Sequence, residues 1–345
     1  AQANSKQVQD YRHNSMTTAP QLRKLDVYMT TALAKSVGIG AAYIAVSASL
    51  INFNKYVMTE GRFPHASALS AIHMLVTFAL SLLLHACRPD LYSTMPFALE
   101  NRGRVLKYIA PLGLAFSVAL YCSNRAYTLS SVSFLQFCKE GNAVLVFAMS
   151  CALGLQVFTW RKLTVLTVVI LGCSLCATGE INFVLLGLIL QLISQIAECS
   201  KNVIGELTMS SAGLKLDVLT FVMFQAPCAL VPLLISLAVG WDMAIYHDFV
   251  AMWPLLCLNA LVAFCLNVMI ATTLKQLSAV AFVIIGLLKD GLIVIVSSFL
   301  FGNPISSQQR VGFFITAVGI AAWGRIRIQE QEEDEKASKK LVPGG

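Results

Sequence analysis

Phe134-Leu135-Gln136-Phe137-Cys138-Lys139-Glu140-Gly141 is an apolar stretch with a lysine, an acid and a glycine at its centre. Val283-Ile284-Ile285-Gly286-Leu287-Leu288-Lys289-Asp290-Gly291 repeats that trio in the other half of the chain. After each trio come an apolar run, a loop with a basic residue (Arg161 or Arg310) and a last apolar segment rich in Gly and Ala. A cation at the centre of a membrane helix costs roughly 2.5–3.5 kcal/mol on insertion scales. Two such cations at corresponding positions therefore point to a repeat built around a polar pathway.

The 345-residue chain around these segments is 57% hydrophobic and 12% charged, where a soluble domain carries about 25% charge. That deficit fits a chain solvated by lipid, and a span needs roughly 20 apolar residues. The pattern predicts an all-α polytopic membrane protein with about ten transmembrane helices, at 32–56, 66–87, 106–127, 131–155, 162–178, 182–208, 217–240, 249–274, 278–301 and 308–326. Breaks fall at Gly61-Arg62-Phe63-Pro64, Arg88-Pro89-Asp90, Gly179-Glu180 and Gly302-Asn303-Pro304, and only Ser130 and Ser131 mark the boundary after 127. The reading divides the chain into an N-terminal tail (1–31), two five-helix repeats (32–178 and 182–326) and a charged tail (327–345). Five is odd, so the second repeat is inverted relative to the first, an arrangement that places binding sites near the midplane of transporters.

With the N-terminus in the cytosol, the loop and tail cations fall almost entirely on that side, and only Lys55, Arg62 and Arg310 fall on the other. By the positive-inside rule both ends are cytosolic. The net charge of +7 is thus accounted for by topology, and no basic face interleaved with aromatics points to nucleic acid. The ten cysteines lie mostly in apolar runs, Cys173 and Cys176 within one hydrophobic segment, and read as small packing residues. The first thirty residues lack the apolar core of a secretory signal. The run Glu330-Gln331-Glu332-Glu333-Asp334-Glu335 reads as a solvated appendage.

Four cations remain inside helices: Arg125, Lys139, Lys201 and Lys289. Two lysines at repeat-equivalent positions predict one cavity for an anion, and a flexible ammonium suits phosphate as a point charge. Their acidic neighbours Glu140 and Asp290 sit at i,i+1, positions that do not share a helix face. The acids are therefore expected to pair elsewhere and leave both ammoniums to the ligand, with two structural salt bridges as the alternative. Glu198 and Lys201, at i,i+3, either neutralise each other or contact ligand. Arg125 either contacts ligand or snorkels to the interface. Asn267 is a buried amide for substrate or for a neighbouring helix. Tyr121, Tyr127, Asn124 and Gln136 are candidates to hold a sugar or base. Gly286 and Gly291 beside Lys289 are expected to allow close backbone approach.

These residues also carry a resemblance. Phe53-Asn54-Lys55-Tyr56 with Phe63-Pro64 and His73, Ser123-Asn124 with Ala126-Tyr127, Ser131-Val132-Ser133-Phe134 leading to Lys139, Glu198 with Lys201, Asn267, and Gly286-Leu287-Leu288-Lys289-Asp290 together resemble the triose-phosphate/nucleotide-sugar translocator family of the drug/metabolite transporter superfamily. The likeness spans about residues 35–328. It implies gradient-driven antiport of a small anionic phosphorylated substrate, with no cofactor and no metal. In plastid members an arginine follows the second lysine and helps grip a sugar phosphate, whereas here Asp290 follows Lys289. The Lys-Asp pair resembles the endomembrane branch, whose better-known relatives exchange nucleotide sugars for nucleotide monophosphates. The resemblance thus implies a Golgi or ER membrane, with the plastid inner envelope and a sugar-phosphate/phosphate exchanger as the alternative. Glu140-Gly141-Asn142 departs from the Ala/Met-rich stretch usual in the family.

No GxxxxGK[ST] motif for ATP and no HExxH occurs. His73 and His85 share a helix without acidic partners there, so an intramembrane enzyme is not expected. A non-transporting scaffold subunit is the remaining rival, kept open by Glu140. Besides the bilayer, a second copy of the chain in a homodimer is the one protein partner considered.

Overall fold

Ser131 separates two helices by capping the second: its hydroxyl accepts from the Phe134 amide at 3.1 Å, which satisfies one of the donors a helix start leaves over. On the other side of the same corner, Lys55 Nζ donates to the carbonyls of Tyr127 at 2.5 Å and Ser130 at 3.1 Å, capping the helix that ends there. The faint boundary in the sequence is thus a doubly capped corner.

The computed structural model describes residues 38–152, 158–179, 183–209, 214–276, 279–302 and 305–341. They form α1 (38–57), α2 (Ala66–Cys87), α3 (Met95–Glu100), α4 (Arg102–Leu129), α5 (Val132–Lys139), α6 (Asn142–Ala152), α7 (Trp160–Thr178), α8 (Leu185–Met209), α9 (Val218–Val239), α10 (Met243–Gln276), α11 (Ala279–Phe301) and α12 (Ser307–Leu341), with a 3₁₀ turn at Pro89–Leu91. Among the described residues there is no strand. The expected N-terminal tail, the first residues of the expected first helix, and the turn residues Glu180, Asn303 and Pro304 lie outside them.

Among the described residues, four helices are long and apolar enough to cross a membrane by length and composition: Ala66–Cys87, Arg102–Leu129, Val218–Val239 and Met243–Thr273. Burial is inverted relative to a soluble protein. Leu83, Ile235, Phe299 and Phe314 point outward, while Gln191, Ser194, Gln195, Asn259 and Thr316 are buried. Lipid is the outer solvent that this arrangement requires, because an apolar exterior is favourable there and polar groups must find partners inside. The protein is a multi-pass membrane protein.

Two helices differ from expectation. The fourth span, predicted as one helix over 131–155, is broken into α5 and α6 at Glu140-Gly141. The tenth does not stop near 326, because α12 continues into the acidic run as far as Leu341. There Glu330 reaches back to Lys162, whose side chain is 3% exposed, in a 2.7 Å ion pair.

Helices approach closely where glycines face each other. A Cβ on Gly172 would meet the Gly312 carbonyl at 2.8 Å, so α7 and α12 pack backbone to backbone. Gly302, at φ +64, ends α11 in the left-handed conformation that suits glycine after a helix.

Candidate functional site

The break in the fourth span is the centre of the site. Beyond Lys139 the helical ladder fails: the Gly141 amide bonds back to the Cys138 carbonyl at 3.0 Å, a short turn in place of a helical bond. A side chain at 141 would press a Cβ to 3.1 Å from that carbonyl. Carbonyls near the break find partners on neighbouring helices, as backbone inside a membrane must. Gln195 Nε2 of α8 donates to Cys138 O at 2.5 Å. The thiol of Cys173 on α7 points at Phe137 O at 3.6 Å, and that of Cys199 on α8 at Asn142 O at 3.8 Å. These cysteines therefore serve as weak donors as well as packing residues.

Charged residues converge on this break from three helices. Lys139 comes from the end of α5, Glu198 and Lys201 from α8, and Lys289 and Asp290 from α11. Glu198 lies within electrostatic reach of all three lysines, so it does more than neutralise Lys201 along its own helix. Lys139 is in the field of Lys289, Asp290 and the Tyr127 hydroxyl. Tyr43 of α1 faces Lys289 and Asp290 and closes the cluster from that side. Lys201 Nζ stands 4.4 Å from the centroid of the Phe116 ring, a cation–π contact that holds an ammonium in an apolar setting.

The acids do not behave as their spacing predicts. Lys289 Nζ reaches Asp290 Oδ1 at 2.9 Å, although the two are sequence neighbours. The four-carbon stem of lysine is long and flexible enough to fold back onto the next residue, so the Lys289 ammonium is paired, not left to a ligand alone. Glu140 is 6% and Asp290 7% exposed, and the two carboxyls lie close enough to feel each other's charge.

Beside the cluster lies a cavity of about 30 Å³ between α2, α4, α8, α9 and α10, lined among others by Lys201, Asn202, Asn267, Thr77, Phe116 and Gln225. It has room for a few waters and not for a sugar. Asn267 Nδ2 donates to Thr77 Oγ1 at 3.4 Å on its wall. The structure thus brings Lys139, Lys201, Lys289, Glu140, Glu198 and Asp290 together around the break and sets Lys201 and Asn267 on one cavity.

Other candidates lie elsewhere. Asn124 has both amide atoms committed within the protein: it accepts from Asn54 at 3.3 Å and donates to Ser70 at 2.9 Å. Asn54 in turn accepts from Asn259 at 3.0 Å, and Asn259 meets His73 Nε2. This chain ties α1, α2, α4 and α10 together. The side chains of Tyr121 (37% exposed) and Arg125 lie on the outward face of α4, the placement that snorkelling predicts for Arg125. Gly286 is not a point of close approach, since a Cβ there would meet nothing within 4 Å. The tight contact on α11 is made by Gly40 of α1, where a Cβ would stand 2.7 Å from Ile285.

Sequence reasoning missed Gln191 and Gln195. Gln191 is fully buried, and neither its amide oxygen nor its nitrogen has a hydrogen-bond partner in the protein. Gln136 donates to the Tyr127 hydroxyl at 3.3 Å while its oxygen has no such partner. The signal was available as spacing: Gln191, Ser194/Gln195, Glu198 and Lys201 recur at three- and four-residue intervals, one polar stripe along α8.

The model of the Triose-phosphate Transporter family matches residues 39–324, which contain the whole cluster. The chain belongs to that family. Three similar proteins from Arabidopsis thaliana each carry the name "Probable sugar phosphate/phosphate translocator". They are 27%, 28% and 26% identical to this member, over 84%, 84% and 88% of its chain and 86%, 87% and 87% of their own. A solved structure described only as "Crystal structure of protein" overlaps this family member with a TM-score of 0.50 at 11% identity, covering 84% of this chain and 96% of that one. That likeness is one of fold alone.

Proposed function

We propose that the protein is a secondary antiporter that exchanges phosphorylated metabolites across an organelle membrane by alternating access. One observation carries the reading: lysines from α5, α8 and α11 converge at a broken helix deep in an apolar bundle. Discontinuous helices at the midplane are how transporters present backbone and charge to a cargo. In this reading Lys139 and Lys289 grip a phosphoryl group, Lys201 and Asn267 line the approach, and Glu198 holds the lysines in register while the cargo is absent.

Two inverted repeats of five spans are the architecture we propose for this movement, with α5 and α6 counted as one span and α3 as none. The helix pairings support it. α2 packs on α9, α7 on α12 and α5 on α11, each the counterpart of its partner in the other repeat, and the α4–α9 contact is mirrored by α10–α2. Both ends lie in the cytosol in this topology.

Two cargoes fit. Lys289-Asp290 in place of a Lys-Arg pair favours a nucleotide sugar exchanged for a nucleotide monophosphate, in a Golgi or ER membrane. The names of the similar Arabidopsis proteins favour a sugar phosphate exchanged for phosphate, which also suits the plastid envelope. Reconstitution decides between them. Liposomes preloaded with one nucleotide monophosphate or with inorganic phosphate are offered labelled nucleotide sugars and sugar phosphates, beside Lys289→Ala. Uptake that needs an internal counter-anion and is lost in the variant supports the exchanger and names its cargo. Absence of exchange with every pair overturns it.

A further inference from the structure

Taken together, the residues around the break carry no net charge when all are ionised. Lys139, Lys201 and Lys289 supply three positive charges; Glu140, Glu198 and Asp290 supply three negative ones. An anion drawn into a neutral, desolvated cluster gains little from it, because every lysine already has a carboxylate to face. Something must tip the balance towards positive for a phosphoryl group to be held.

Glu140 and Asp290 are placed to do that. Glu140 sits at the break after α5 and Asp290 on α11, which packs against α5; the two are 6% and 7% exposed and lie within each other's electrostatic field. Two buried carboxylates facing each other repel, and a proton on one of them relieves that repulsion. Glu140 Oε1 has no hydrogen-bond partner in the protein, and Asp290 Oδ1 meets only the Lys289 ammonium. The groups facing the pair come from every adjoining element: Tyr43 on α1, Lys139 and Tyr127 at the α4–α5 corner, Cys173 and Cys176 on α7, Glu198 and Lys201 on α8, and Lys289 on α11. Of these only Lys289 is in ion-pair contact with the pair, and it contacts Asp290.

We propose that the Glu140–Asp290 pair is a proton site, and that the cargo anion binds together with one proton held between these two carboxyls. This rests on the antiport reading and adds proton coupling to it. With both carboxyls ionised the cluster is neutral. One proton, taken from the aqueous side that the site then faces, leaves it with a single positive charge for the anion. The proton stays on the pair while the anion is bound and departs to water on the side where the anion is released. No covalent bond forms or breaks other than the O–H of that carboxyl.

The test has two readouts on the purified full-length protein. The first is the infrared carbonyl stretch of a protonated carboxylic acid near neutral pH, with excess inorganic phosphate present, in wild type, Glu140→Gln and Asp290→Asn. The second is the affinity of inorganic phosphate from pH 5.5 to 8.5 in wild type and Glu140→Gln, compared as a ratio so that titration of phosphate itself cancels. Glu140→Gln mimics the proton-bearing state at every pH. The expected result is a protonated-carboxyl band in wild type that both variants lose, and an affinity ratio favouring Glu140→Gln that grows with pH, approaching about tenfold per pH unit where one proton is linked to one anion. No such band in wild type overturns the proton site whatever phosphate does. A band with a flat ratio overturns the coupling and leaves the exchanger reading standing. A band without phosphate binding to either protein overturns the coupling, and failure of the exchange panel as well would then mark failure of the exchanger reading itself.

Discussion

Gln195 on α8 donates its side-chain amide to the main-chain carbonyl of Cys138 at 2.5 Å, one residue before the lysine at the break. This bond joins the polar stripe of α8 to the discontinuity in the fourth span and fixes where Lys139 leaves the helix. Replacing Gln195 with Leu removes the donor in a fully buried setting, which costs about 1–3 kcal/mol when the acceptor is stranded. The Gly141 amide remains on the carbonyl, so the lower half of that range is expected. Thermal unfolding in detergent should show a lowered Tm, and the exchange rate should fall with it.

Asn124 should behave as a fastener. Asn124→Ala removes the bonds to Asn54 and Ser70 and leaves buried polar atoms behind, for a loss of about 1–3 kcal/mol. Because its amide faces protein groups on both sides, the apparent KM for cargo should stay at the wild-type value while thermal stability falls. A raised KM at unchanged stability would return Asn124 to the binding site.

Asp217, at the start of α9, offers a pH signature outside the spans. Burial pushes its carboxyl up, but hydrogen bonds from Thr220 and Thr94 more than offset this and hold it below its ordinary value. The bonds run from Thr220 N at 2.9 Å and Oγ1 at 2.7 Å, and from Thr94 N at 2.9 Å and Oγ1 at 2.7 Å. A carboxyl depressed in the folded state stabilises above its unfolded pKa and loses that contribution as pH falls through the folded value. Asp217→Ala should cost about 0.5–2 kcal/mol at pH 7, the range for a lost helix cap. The deficit should shrink below about pH 4. Unfolding curves of both proteins across that range check the sign.

Glu330 is an ion-pair partner of the buried Lys162. Glu330→Ala should destabilise the junction of α7 and α12. Breaking a fully buried pair costs about 3–5 kcal/mol, but Glu330 is 35% exposed and solvent screening reduces that to about 1 kcal/mol. Lys162→Met, which removes the charge and keeps the volume, should recover much of the loss in the double variant. A thermal-unfolding cycle of the four proteins measures it.

Most helix positions were legible because they rest on runs of apolar residues, and α2, α9 and α11 fall within a residue or so of where composition puts them. The approach of Lys139 and Lys289 to one another could be read because charge in lipid is costly and so rarely incidental, whereas the sequence left Lys201 open between Glu198 and ligand. The break at Glu140-Gly141 was not legible, since an isolated glycine in an apolar run is tolerated within a helix. What opens it is the supply of donors from α7 and α8, a tertiary fact. Lys289–Asp290 pairing was hidden for a related reason: helix geometry separates neighbouring side chains, and only the length of the lysine stem overrides it. Asn124 looked like a cargo ligand because a buried amide has the same residue pattern whether it meets a sugar or two other side chains. The extension of α12 was masked by its acidic run, which reads as solvated until Lys162 supplies a partner.

The central claim is that the lysines at the break hold the phosphoryl group of the cargo. The most direct test is ligand-linked stabilisation of purified wild type and Lys139→Gln by the anion that the exchange panel identifies. At about 100-fold excess over its Kd, a ligand that binds only the folded protein stabilises it by about 2.7 kcal/mol. The account predicts that wild type shows this shift and that Lys139→Gln, still unfolding cooperatively without ligand, loses most of it. A Lys139→Gln protein stabilised as strongly as wild type would contradict the account.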